Sequence, residues 1–151
     1  MESITINWWA VIVAAVTSMI IGSIWYGPLF GKKWQEVMGV SYDDKTPEEQ
    51  KEMRKGMGAL YGAQFILSIV TVWILAHYTA LVKMTTVGTS GASLGIQNAL
   101  WVWLGFIMPT VAGAAMWSGK SKKLAWSMFL ISAGYNVVLF AVFGLILGSW
   151  N

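Results

Sequence analysis

The chain has 151 residues, of which 56% are hydrophobic and 11% charged. Ordinary soluble domains carry roughly 25% charged residues, so there are too few charges here to coat a water-facing surface, and most of this chain is solvated by lipid. The +3 net charge reflects ten Lys and Arg against seven Asp and Glu; the cations all lie outside or at the edges of apolar runs, which excludes the basic stripe of a nucleic-acid binder, and the absence of cysteine excludes disulfides, thiolate metal sites and cysteine nucleophiles.

Four apolar runs reach the roughly 20 residues needed to cross a bilayer core. They cover about residues 8–29, 57–81, 94–117 and 124–148, and the ten tryptophans gather mostly near their ends, at headgroup depth. The expected fold is a single all-α domain over 1–151, an integral membrane four-helix bundle. The N-terminus has no cationic leader region and no small-residue cleavage site follows the first run, so that run is read as a retained span. The segment 31–56 holds Lys32, Lys33, Lys45, Lys51, Arg54 and Lys55, and the turn before the last span holds Lys120, Lys122 and Lys123; only Lys83 lies on the other side. The positive-inside rule makes both basic segments cytoplasmic and both termini external, in the cell (inner) membrane.

The first span carries Ala10, Ala14, Ser18 and Gly22 at four-residue spacing, a small-residue seam for another helix. Gly27-Pro28 ends or kinks that helix, because proline removes a backbone donor and disfavours helical geometry before it. Phe30, Trp34, Val37 and Met38 then share one face of a short helix expected to lie in the interface. Trp25, Tyr26, Pro28, Lys32, Lys33 and Trp34 form a candidate interface cluster. Its aromatic members suit either a cage for a cationic or lipid headgroup or, the plainer reading, an interfacial belt.

Asn7-Trp8-Trp9, Gly22, the run Trp25-Tyr26-Gly27-Pro28-Leu29-Phe30-Gly31-Lys32 and Trp34 resemble the signature of a family of small bacterial four-span membrane proteins, domain of unknown function 1761. Gly134-Tyr135-Asn136 and the near-terminal Trp150 are similar to its closing motif. The resemblance covers nearly the whole chain. It implies an architecture and assigns no chemistry to any residue.

Thr46-Pro47-Glu48-Glu49 is a capping box with proline at the first helical position, so a helix starts there and is expected to run through Gly56 into the second span. That span carries Tyr61, Gln64, Ser68, Thr71, Leu75 and Tyr78 at alternating three- and four-residue steps, the most polar stripe in the membrane. Gly58 and Gly62 add a close-packing motif. The third span contains Gln97, Asn98, Gly105, Pro109 and Gly113, with a kink expected at Pro109. Offsets of 91 (Asn7 to Asn98, Gly22 to Gly113, Lys32 to Lys123) and 72 (Gly62 to Gly134, Gln64 to Asn136) match in part. A duplicated two-span hairpin and coincidence among small residues both remain open.

His77 is the only histidine. One imidazole builds neither a metal site nor a relay, so it reads as an amphipathic residue at the water boundary. Gly88-Thr89-Ser90-Gly91 matches the short pattern of rhomboid-type intramembrane proteases, but such a serine needs a base within reach, which makes a hydrolase the remote alternative. No span contains Asp or Glu, against the in-membrane carboxylate that small multidrug transporters use. The expectation is therefore a non-enzymatic protein without cofactor, catalytic residues or metal. Two readings stand. In one, the chain binds or passes a small solute or lipid as a homo-oligomer, with Gln64, Ser68, Thr71, Asn98 and Asn136 bordering a polar cluster; in the other it is an accessory or scaffold protein that binds another membrane protein. The orientation is checked with a reporter active only in the cytoplasm: inserted near Tyr42 it gives full signal, and fused after Asn151 it gives none.

Overall fold

The computed structural model describes residues 4–41, 45–86, 88 and 91–150, and among these every regular element is helical. Four helical segments are long and apolar enough to cross a membrane, at Trp8–Leu29, Pro47–Thr85, Gly91–Met116 and Lys122–Trp150. The protein is a four-span helical membrane protein. Helices α1 (Trp8–Ile24), α4 (Met57–Thr85) and α7 (Lys122–Trp150) are the long rods; α5 (Gly91–Val102) and α6 (Met108–Met116) together make the third span. Two short helices, α2 (Gly31–Met38) and α3 (Pro47–Arg54), occupy the connection between the first two spans.

Both prolines inside spans are absorbed by π-helical turns. Pro28 lies in the turn Trp25–Leu29, where the Phe30 amide reaches back five residues to the Trp25 carbonyl at 2.9 Å. Pro109 follows the turn Trp103–Ile107, where the Met108 amide reaches the Trp103 carbonyl. A proline removes one donor from the ladder, and in lipid the freed carbonyls must be re-satisfied by such local rewinding. The break at Pro28 thus redirects the chain at Phe30 into α2, whose left-handed Gly39 ends it. The capping box at Thr46 is present: the Thr46 amide donates to the Glu49 carboxylate at 2.8 Å and the Glu49 amide donates to the Thr46 hydroxyl at 3.3 Å. The helix it opens does not continue into the second span. It stops at Lys55, because Gly56 takes a left-handed φ of 82°.

Helix α7 touches all three other spans and α2. Its tightest neighbour is α5, for a reason visible in four glycines. A Cβ on Gly95 would meet the Gly144 carbonyl oxygen and lie 2.8 Å from the Gly148 Cα; one on Gly148 would meet the Gly91 carbonyl oxygen and lie 2.9 Å from the Ala92 Cα. Gly91 and Gly95 on one helix and Gly144 and Gly148 on the other are four residues apart, so each helix presents a bare backbone strip to its partner. The seam expected on α1 is also formed: Ala10, Ala14 and Ser18 are buried, and the Ser18 hydroxyl donates to the Ser68 hydroxyl of α4 at 3.0 Å. Asn7 caps α1 through its side-chain oxygen and donates to the Trp150 carbonyl at 3.3 Å, tying the start of α1 to the end of α7. Asn98, its partner at offset 91, lies inside α5, so the offset does not carry like positions onto like positions.

The main apolar cluster lies in one half of the bundle, while Val37, Ala115, Ile131 and Ala133 are buried separately toward the basic end. The core joins Val11 and Ala14 of α1, Val72 and Leu75 of α4, Ala99 of α5 and Phe140, Phe143 and Leu147 of α7, all nearer the end that holds Asn7 and Trp150. Toward the opposite, basic end the start of α4 is exposed over residues 58–64. Gly58 and Gly62, which read as a close-packing motif, meet nothing within 4 Å; close packing belongs to α5 and α7 instead. Replacing Gly144 or Gly148 by Ala therefore drives a methyl into facing backbone and lowers stability by about 3 kcal/mol, whereas Gly58→Ala and Gly62→Ala leave the melting temperature in detergent unchanged or raised, since alanine is the better helix former.

Candidate functional site

Below the core, the π turn of the first span swings Trp25 and Tyr26 onto α7. The Trp25 indole N–H donates to the Ile131 carbonyl at 3.0 Å, and its ring lies so close to Gly134 that a Cβ there would sit 3.1 Å from the ring edge. Tyr26 packs on Tyr135 with centroids 5.1 Å apart and on Trp34 at 4.9 Å; Trp25 packs on Phe30 at 4.9 Å. In return the Tyr135 hydroxyl reaches toward the Ser18 carbonyl at 3.5 Å, passing Gly22, where a Cβ would stand 3.3 Å from it. Gly22 and Gly134 are thus the two reciprocal sockets of an aromatic interlock between α1 and α7. The rings pack against one another, with Trp25, Tyr26 and Trp34 each half-buried. On α2, Lys32 is exposed, while the Lys33 ammonium, bonded to Glu36 at 2.7 Å, holds that carboxyl below the usual carboxylate range.

Beside the interlock lies a half-open cleft of about 690 Å³ between α1, α4 and α7, with Val111 of α6 also in its wall. Its polar wall is made by Tyr26, Tyr61, Gln64, Ser132, Tyr135 and Asn136, and no lining residue is charged. Several of these groups keep hydrogen-bonding capacity. Asn136 spends one amide proton on the Ser132 carbonyl at 2.8 Å, leaving its oxygen; among the described residues the Gln64 amide has no side-chain partner. By contrast Ser18 and Ser23, also in the wall, are spent on helix carbonyls and, for Ser18, on Ser68.

A protein-family model described as "Protein of unknown function (DUF1761)" matches residues 9–148. The chain belongs to this family. Neither the curated proteins nor the solved structures return a match. In this DUF1761 chain the two stretches that carry the resemblance, Trp25-Tyr26-Gly27-Pro28 and Gly134-Tyr135-Asn136, are in direct contact and together wall the cleft.

The five residues expected to border one polar cluster are distributed. Gln64 and Asn136 face the same cleft. Ser68 lies behind it, buried, donating to the Gln64 carbonyl at 2.9 Å and accepting from Ser18. Thr71 is exposed, its hydroxyl spent on the Leu67 carbonyl at 2.9 Å. At 100° per residue Thr71 stands about 60° round the helix from Ser68, so the buried face of α4 runs through Ser68, Val72, Leu75, Ala76 and Thr79 and leaves Thr71 to one side. Asn98 is buried in α5 with its amide nitrogen unpartnered, as are the Thr79 hydroxyl and the Trp103 indole nitrogen. Gly95, one turn before Asn98, lies against Gly144 and Gly148, and Asn136 is about 12 Å before Gly144 at 1.5 Å per residue, so Asn98 belongs to the packed end of the bundle. His77 is satisfied locally, its Nδ1 bonded to the Trp73 carbonyl at 2.9 Å and its ring edge-on to Trp73. Ser90 lies outside the described residues.

Reasoning from sequence missed Ser132 and the inward aim of Tyr26 and Tyr135. The available signal was Gly134, a small residue one position from a tyrosine in mid-span, which marks a place where another ring arrives. Trp25→Phe, which keeps the ring and removes the N–H, lowers stability by about 1 kcal/mol; Gly134→Ala, which presses on that ring, lowers it by about 1–3 kcal/mol. Because the two share one contact, the double variant loses less than the sum in thermal melts, and strict additivity would separate them.

Proposed function

We propose that this protein is a non-enzymatic multi-pass protein of the cell membrane that binds a small, uncharged, hydrogen-bonding molecule in the cleft between α1, α4 and α7. The observation that carries the reading is the cleft's lining: a volume within the 300–1,000 Å³ range of ligand sites, with the Gln64 amide and the Asn136 amide oxygen unspent and no ionised side chain. Unpaired polar groups at membrane depth are unfavourable until something bonds to them, so a neutral guest with donors and acceptors stabilises this wall, whereas an ion finds no countercharge. The hydroxyls in the wall have no imidazole or carboxylate beside them in the lining, which supports binding over hydrolysis. With nine of ten cations on the cleft's side of the bundle, that side faces the cytoplasm in this reading. A homo-oligomer is part of it, because one chain leaves the cleft open along one flank and a second copy completes a path for passage.

The test is native mass spectrometry of the protein extracted in mild detergent, with the co-purified molecule identified after solvent extraction. Gln64→Leu and Asn136→Leu each remove the bound molecule while the melting temperature stays within a few degrees. Retention of the same molecule by both variants overturns the reading. A second membrane protein present in fixed stoichiometry, with an empty cleft, would instead establish the accessory role.

A further inference from the structure

We propose that the groove between α6 and α7, on the basic side of the bundle and separate from the cleft, is a binding site for one anionic phospholipid. Its acyl chain lies along the groove and its phosphate sits between Lys120 and Lys122. The groove encloses about 450 Å³ and is walled by Ala112, Ala115 and Met116 of α6 and by Ala125 and Phe129 of α7. Alanine at facing positions near the hairpin turn leaves room between the helices where larger side chains would close it. Lys120 and Lys122 stand at its mouth with Trp126 alongside. Trp126 is 55% exposed and the neighbouring Trp117 is 90% exposed, which sets the mouth at headgroup depth. Phe129 is seven residues into α7 from Lys122, so the apolar trough runs about 10 Å toward the membrane interior.

Charge decides the occupant. No Asp or Glu follows Glu52 in the sequence, so the hairpin of α5, α6 and α7 carries no acid of its own, and the carboxylate of Glu36 on α2 feels Lys123 but not Lys120 or Lys122. The ion pairs among the described residues join Lys33 to Glu36 and Lys55 to Glu52, and neither involves Lys120 or Lys122. Helix α7 also begins at Lys122. Its first-turn amides have no intrahelical acceptors; the Ala125 amide is taken by the Ser121 carbonyl at 2.9 Å, and the Ser121 hydroxyl accepts from the Leu124 amide only at a long 3.5 Å. Two ammonium groups and a helix N-terminus converge at one end of an apolar trough, the arrangement that fits an anionic headgroup on an acyl chain. A zwitterionic lipid brings its own cation to the same place and gains little.

The experiment uses the full chain in detergent, titrated separately with phosphatidylglycerol and phosphatidylcholine of matched acyl chains and read by native mass spectrometry. One phosphatidylglycerol binds at least about tenfold more tightly than phosphatidylcholine. The double variant Lys120→Gln/Lys122→Gln weakens it by roughly thirtyfold at low salt, about fivefold for each lysine, and Lys83→Gln on the opposite side leaves it unchanged. Ala125→Phe, or Ala112→Leu if the first does not fold, fills the trough and removes the lipid while the lysines remain. Equal affinity for the two lipids, or no loss in the lysine variant, overturns the proposal. So does retention of the lipid in the filled groove, which reduces the effect to adsorption on a basic surface, and so does displacement by millimolar inorganic phosphate, which makes the site one for a free anion.

Discussion

Helix α7 is approached at two levels without side chains in the way. At Gly144 and Gly148 it admits the backbone of α5, and at Gly134 it admits the ring of Trp25. The hydrophobic effect does not drive helices together in lipid, whose tails are as apolar as leucine, so close van der Waals contact and interhelical hydrogen bonds carry the association. The rest of the arrangement follows from these two approaches. The upper one draws α5 tightly to α7 and gathers the core around Phe143 and Leu147; the lower one holds α1 to α7 through an indole, and the cleft opens beside the neighbouring rings of Tyr26 and Tyr135.

Proline has a constructive role in this geometry. An uninterrupted first helix would carry Trp25 and Tyr26 around to whatever azimuth a period of 3.6 dictates. The π turn at Pro28 widens the period locally, so consecutive aromatic residues both face α7, one entering the Gly134 socket and the other stacking on Tyr135. The indole hydrogen bond to the Ile131 carbonyl then fixes the ring by direction as well as by shape. A local irregularity of five residues thereby sets a contact between the first and last spans.

What the sequence made legible was whatever depends on local spacing. The four spans, the Ala10-Ala14-Ser18-Gly22 seam, the Thr46 capping box and the short helix after Phe30 are each readable within one continuous stretch of chain, and each is present in the fold. What was illegible depends on the partner. Gly58 and Gly62 have the same four-residue spacing as Gly91 and Gly95, yet the first pair is open and the second is sealed against another backbone; spacing says that a helix is able to approach, and only the fold says which one does. Gln64 and Asn136 share a cleft while Thr71 and Asn98 do not, since alternating three- and four-residue steps swing to either side of a face, Thr71 falling about 60° from Ser68, and a single amide carries no depth label.

The spans are unequal in length. Helices α4 and α7 have 29 residues each, about 43 Å at 1.5 Å per residue, while the first span has 22, about 33 Å, before the chain turns aside at Phe30. A hydrocarbon layer of roughly 30 Å matches the short rod and is overrun by the long ones, which lean or protrude to compensate. The glycine contacts hold α7 against α5 at one end, and α4 and α7 each have seven residues more than the first span. No single bilayer thickness therefore matches all the spans of this bundle at once.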